Sequence, residues 1–136
     1  KRQELMALLP AEFSSVWMAM LLLVTILVLI GMIMDPYGAV LLVSASIASI
    51  AYKAGIDPIH FWMVTLVAFE LGYLSPPVAL NHLLTRQVVG EEEVLKAEAE
   101  CADGTFYQRH EKILMPIITM GSALLIVAFG PLIVAY

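Results

Sequence analysis

The chain has 136 residues, 61% of them hydrophobic and only 14% charged, with a formal net charge of −5; its mean hydropathy is +0.90. That balance excludes an ordinary soluble domain, and with no basic run it excludes a nucleic-acid binder; it fits a polytopic, all-α membrane protein. A single Cys101 excludes an internal disulfide framework and gives no zinc pattern. The first residue is Lys1 and no signal-peptide pattern follows, so the expectation is a piece of a longer membrane protein.

Residues 1–15 read as an amphipathic lead-in at the membrane interface, and Trp17 suits the headgroup zone. Two apolar runs follow, Val16 to Met34 and Tyr37 to Tyr52, with only Asp35-Pro36 between them. So short a polar connection demands a tight antiparallel hairpin over 16–56. The residues alone leave two forms open: a re-entrant hairpin with its tip at 31–36, or two full spans joined at the surface. Ser44, Ala45, Ser46, Ala48, Ser49 and Ala51 make the second arm a close-packing face. Gly55 suits a helix C-cap, and Asp57-Pro58 suits an N-cap followed by proline in the first turn.

The next helix, over 57–89, carries the stretch Phe-Glu-Leu-Gly-Tyr-Leu-Ser-Pro-Pro-Val-Ala-Leu-Asn from Phe69 to Asn81. Two adjacent prolines remove two backbone donors, and Ser75 before them is pushed out of the helical region. The helix is expected to break near 73–77 and to restart at Pro77. In lipid such a break leaves backbone groups with no water to bond, so it belongs beside a cavity or a bound species. Glu70 is ionisable at membrane depth, where charge is costly and is paired or functional.

Residues 90–112 read as a polar loop with a short surface helix opened by Glu91, Glu92 and Glu93, with Glu92 and Lys96 spaced to pair. Residues 113–136 read as a final spanning helix with Pro116 in its first turn. His60, His82 and His110 are too scattered for a metal site. His60 reads as an interfacial or packing residue, and His82 as a hydrogen-bonding group near the break.

Taken together, Gly31-Met32-Ile33-Met34-Asp35-Pro36, Gly55-Ile56-Asp57-Pro58-Ile59-His60-Phe61, Glu70-Leu71-Gly72 and Ser75-Pro76-Pro77-Val78-Ala79-Leu80-Asn81 resemble the C-terminal part of the large membrane subunit of tripartite ATP-independent periplasmic (TRAP) transporters, the DctM-like permeases. The resemblance covers residues 30–84. It implies an elevator-type secondary transporter of the bacterial inner membrane. Such a transporter imports an organic acid on a sodium gradient, with a small membrane subunit (DctQ-like) and a periplasmic substrate-binding protein. It implies the re-entrant form of the hairpin, a cytoplasmic 91–112 loop, and no cofactor beyond the coupling ion. The chain departs from the pattern in having Ser75 for a usual threonine and Ala79 for a usual glycine. Ala45 and Ser49 replace prolines in the second arm, which is therefore expected to be straighter.

On that reading sodium lies between the hairpin tip and the broken helix. The candidate ligands are non-helical carbonyls near Gly31, Met34, Ser75 and Pro76, with the Ser75 hydroxyl and the Asn81 amide oxygen. Asp35 either ligates or caps the second arm. Glu70 and Pro77 are the candidates to face the solute. An ion-coupled dicarboxylate or citrate symporter without a binding protein is the alternative. A membrane-embedded enzyme would need paired catalytic groups, and Glu70 stands nearly alone. A purely structural subunit would tolerate a straightened break.

Overall fold

The computed structural model describes residues 16–134, so the lead-in lies outside the described residues. Every element in that range is helical. Helix α1 spans Val16–Ile33. After Met34 and Asp35 the chain returns as α2, Pro36–Leu42, a π-helical turn, Val43–Ile47, and α3, Ala48–Lys53. Helix α4 is Pro58–Leu74, α5 is Leu80–Val89, α6 is Glu91–Glu100 and α7 is Phe106–Val134. Helices α1 and α7 are each long and apolar enough to cross a membrane.

Helix α4 is the centre of the packing. Its buried residues recur every three or four positions, at His60, Phe61, Val64, Thr65, Ala68, Phe69 and Gly72. That stripe meets Met20, Leu23, Leu27 and Gly31 of α1, and Leu124, Ala128 and Leu132 of α7. Gly55 lies beside Val16, and Gly72 beside Gly31, so α1 and α4 run parallel. Helix α7 runs the other way: His60 Nε2 bonds the Val127 carbonyl at 2.8 Å, and Trp17 stacks on Phe129 with centroids 5.8 Å apart. Trp17 thus meets an aromatic partner as well as the surface. His60 is the packing residue its position suggests.

The same device starts α2 and α4. Asp35 accepts from the Gly38 N–H at 3.0 Å, and Asp57 accepts from Ile59 at 2.9 Å; a proline follows each in the first turn. Helix α3 ends with Gly55 at φ +92°. There Gly55 N–H reaches Tyr52 O and Ile56 N–H reaches Ala51 O, a Schellman closure.

Three expectations need correction. The second arm is not a straight α-helix, because Val43–Ile47 is π-helical. The Ser44 and Ser46 hydroxyls donate to Val40 O at 2.7 Å and Leu42 O at 2.5 Å, competing with the backbone for the same carbonyls. The final helix starts at Phe106 rather than 113, which puts Pro116 inside it. Its first turns carry charge, so apolar periodicity alone misses them.

The helix after the break also restarts later than expected. Helix α4 runs to Leu74, and Ser75 caps it in an extended conformation. Pro76-Pro77 is a cis peptide, and Ala79 has φ +46°. With Ala79 left-handed as its N-cap, helix α5 begins at Leu80 and not at Pro77. A left-handed non-glycine residue costs about 1–2 kcal/mol. Ala79→Gly is thus expected to raise the melting temperature of the purified full-length protein, by a gain of about 1 kcal/mol. A lower melting temperature in a thermal-shift assay would contradict the strained backbone at Ala79.

Candidate functional site

The hairpin tip and the break in α4 come together. A Cβ added to Gly72 would lie 2.6 Å from the Gly31 carbonyl carbon and 2.8 Å from the Met32 nitrogen. The two backbones therefore touch at this crossing, and only glycine fits there. Beside the crossing lies a cavity of about 160 Å³, lined by Gly31 to Asp35, Gly72, Tyr73 and Val78 to Leu80.

Prolines remove the helical donors of two carbonyls in the lining residues. Residue 36 is proline, so the Met32 carbonyl has no donor four residues on; Pro76 and Pro77 likewise deny one to the Tyr73 carbonyl. Met32 and Tyr73 both line the cavity. The Tyr73 hydroxyl is buried with no hydrogen-bond partner among the described residues, and the Asp35 and Glu70 carboxylates lie within electrostatic range of it. Sequence reasoning missed Met32, Gly72 and Tyr73 as site residues. The signal was there: Met32 and Tyr73 each sit four residues before a proline in an apolar helix.

The residues singled out from the sequence divide as follows. Gly31, Met34 and Asp35 line the cavity. Gly31 lies inside α1, so it contributes close approach and not a non-helical carbonyl. Asp35 is the cap of α2 through one oxygen. Ser75 satisfies the helix end: its hydroxyl donates to Leu71 O at 2.7 Å, and its carbonyl accepts from Ala79. Pro76 lines a different opening, a groove of about 710 Å³ between α5, α6 and α7. Pro77 is exposed. Glu70 and Asn81 are joined to each other, Asn81 Nδ2 donating to Glu70 Oε1 at 2.6 Å. His82 Nε2 is buried and takes no partner among the described residues, so the expected hydrogen bond near the break is not formed.

Glu98 ties the far end of α5 to the rest of the molecule. It pairs with Lys112 of α7 and lies 3.6 Å from Arg86 of α5. The Lys112 hydrogen bond and charge, with Arg86 beyond, hold its carboxyl below the usual range. Lys96 pairs with Glu92 at 3.1 Å and with Glu93 at 2.9 Å. These pairs are exposed and contribute little to stability.

Among the described residues no three His, Cys, Asp or Glu side chains cluster as metal ligands. A cation held in the cavity would draw on carbonyl and hydroxyl oxygens, a set that suits a hard monovalent ion at unwound helix ends.

A packed helical hairpin set against an interrupted apolar helix defines an all-α integral membrane protein. The family model for the tripartite ATP-independent periplasmic transporter, DctM component, matches residues 3–133, and the chain belongs to that family. It is 37% identical over 76 residues to the C4-dicarboxylate TRAP transporter large permease protein DctM of Pseudomonas aeruginosa, covering 56% of this chain and 18% of that one. It is 27% identical over 110 residues to the isethionate TRAP transporter permease protein DctMQ of Oleidesulfovibrio alaskensis, covering 80% of this chain and 15% of that one. The DctM protein of Vibrio cholerae is 38% identical over 69 residues, with 50% and 15% covered. The chain thus spans less than a fifth of the length of these relatives. No solved structure matches it. Its place is the bacterial inner membrane.

Proposed function

We propose that the chain is the C-terminal part of a permease that imports an organic acid by sodium-coupled elevator transport. A periplasmic binding protein delivers the solute, and a small membrane subunit assists. The observation that carries the reading is the cavity where the hairpin tip meets the helix break. Sodium enters there as a transported ion. The Met32 and Tyr73 carbonyls, freed by prolines, are its first ligands, with Met34, the second oxygen of Asp35 and the Tyr73 hydroxyl around them. Asn81 has its amide oxygen left to contribute, since its nitrogen is engaged by Glu70. Ser75 and Pro76 keep the end of α4 open. The re-entrant form of the hairpin and a cytoplasmic α6 follow from the same reading. The names of the relatives point to small anionic solutes, C4-dicarboxylates and isethionate.

The test is solute uptake by proteoliposomes holding the full-length permease and its small subunit, with a sodium gradient and purified binding protein each present or absent. Uptake is expected only with both. Uptake with sodium alone would favour the symporter that needs no binding protein. Indifference to sodium would remove the ion site.

A further inference from the structure

Helix α5 is held in an unusual way. It has no buried residue and no side-chain cap on its first turn. It is joined to α4 by five non-helical residues, 75–79. Among the described residues, no buried apolar side chain of its own fixes its direction. Among the described residues its outer end is tied by exposed ion pairs of Arg86 with Glu91 and Glu98, which are weak. Its inner end is tied by the half-buried bond from Asn81 Nδ2 to Glu70 Oε1, at 2.6 Å across the break. A charge-assisted bond in a low-dielectric setting is among the stronger single polar contacts.

The geometry of that pair depends on the break. In one continuous helix, residues 70 and 81 would be about 16 Å apart along the axis, beyond side-chain reach. The chain must fold back for them to meet. A carboxylate only accepts, so the Asn81 nitrogen must face Glu70 and its oxygen must turn elsewhere. Glu70 lines neither cavity described above. Its reach is toward Asn81.

We infer that Glu70 is a positioning residue: it clasps α5 to α4 through Asn81, sets the angle of the half-helix that follows the break, and acts on transport without touching solute or ion. This role rests on reading the chain as part of a sodium-coupled permease. It adds a group for the transport cycle whose charge is dispensable while its acceptor oxygen is not.

The experiment uses the full-length permease with its partners in proteoliposomes. Four variants are compared with the parent: Glu70→Gln, Glu70→Leu, Asn81→Leu and the double leucine variant. Uptake, the sodium concentration for half-activation, and sodium-free solute counterflow are measured for each. Glutamine keeps the acceptor oxygen, so Glu70→Gln is expected to stay within about threefold of the parent, whereas each single leucine variant falls at least about tenfold. The double variant is expected to fall no further than the worse single one, because the pair acts as a unit. Equal loss in Glu70→Gln and Glu70→Leu would overturn the inference, since the charge itself would then be needed. So would normal transport in Glu70→Leu. If Glu70→Leu does not fold, Glu70→Gln against Asn81→Leu decides in the same way. A parent protein indifferent to sodium would sink the coupling reading, yet the counterflow ranking of the four variants would still judge the clasp.

Discussion

Gly72→Ala is expected to lower both melting temperature and uptake, and to do so more than Gly31→Ala. The added methyl would sit 2.6 Å from one backbone atom of α1 and 2.8 Å from two others. Ordinary carbon contacts are about 3.5–4.0 Å, so the helices would have to part by about 1 Å. Forcing a methyl into such a crossing costs about 1–3 kcal/mol. Alanine is the better helix former by about 1 kcal/mol, which offsets only part of that. At Gly31 the nearest atoms are Phe69 Cα at 3.0 Å and its carbonyl oxygen at 3.1 Å, so the α4 backbone has to give by only a few tenths of an ångström. The propensity gain should then leave Gly31→Ala near the parent. Thermal melting of the purified full-length protein, with uptake beside it, gives the order directly. Equal melting temperatures for Gly72→Ala and the parent, or a worse result for Gly31→Ala, would mean that the crossing is looser than described. The same crossing seats the hairpin tip against the break, so transport is expected to fall further than stability does.

The second large effect is expected from straightening the break. Replacing Ser75-Pro76-Pro77 by Ala-Leu-Ala removes two residues that each oppose a helix interior by about 3 kcal/mol. The five residues of the connection would then become helical and add about 7.5 Å to the axis. Val78 to Leu80 would leave the cavity wall, the Tyr73 carbonyl would gain a helical donor, and Glu70 and Asn81 would part. Membrane insertion should survive, since a continuous helix is easier to place in lipid. Uptake should drop to that of empty vesicles while the protein still elutes as a single folded species. Full uptake in this variant would show that the break serves packing alone and would favour a structural subunit.

Much of this protein was legible from its residues because local covalent chemistry set it. Proline lacks an N–H, so Asp35-Pro36, Asp57-Pro58 and Ser75-Pro76-Pro77 mark two capped helix starts and one interruption wherever the rest of the chain lies. Glycine at Gly55 marked a helix end for the same kind of reason. Apolar run lengths set a helical membrane protein, and the spacing of glutamates and lysine set the Glu92–Lys96 pair.

Tertiary structure decided what no local rule reaches. Periodicity cannot tell that Gly31 and Gly72 share one crossing, because the contact joins residues far apart in sequence through the absence of two side chains. It cannot tell that Glu70 and Asn81 bond each other, because a fold-back must first bring their helices together. The left-handed turn at Ala79 delayed α5 to Leu80, and the serine hydroxyls of α2 and the π turn bent the bonding pattern of an arm whose composition suggested a straight helix. Local residues settled the capped starts of α2 and α4 and the end of α3, since those are events of a few adjacent residues; the starts of α5 and α7 were not set that way. Which interruptions face each other across a cavity was settled only by packing, since it depends on the summed contacts of α1, α4 and α7.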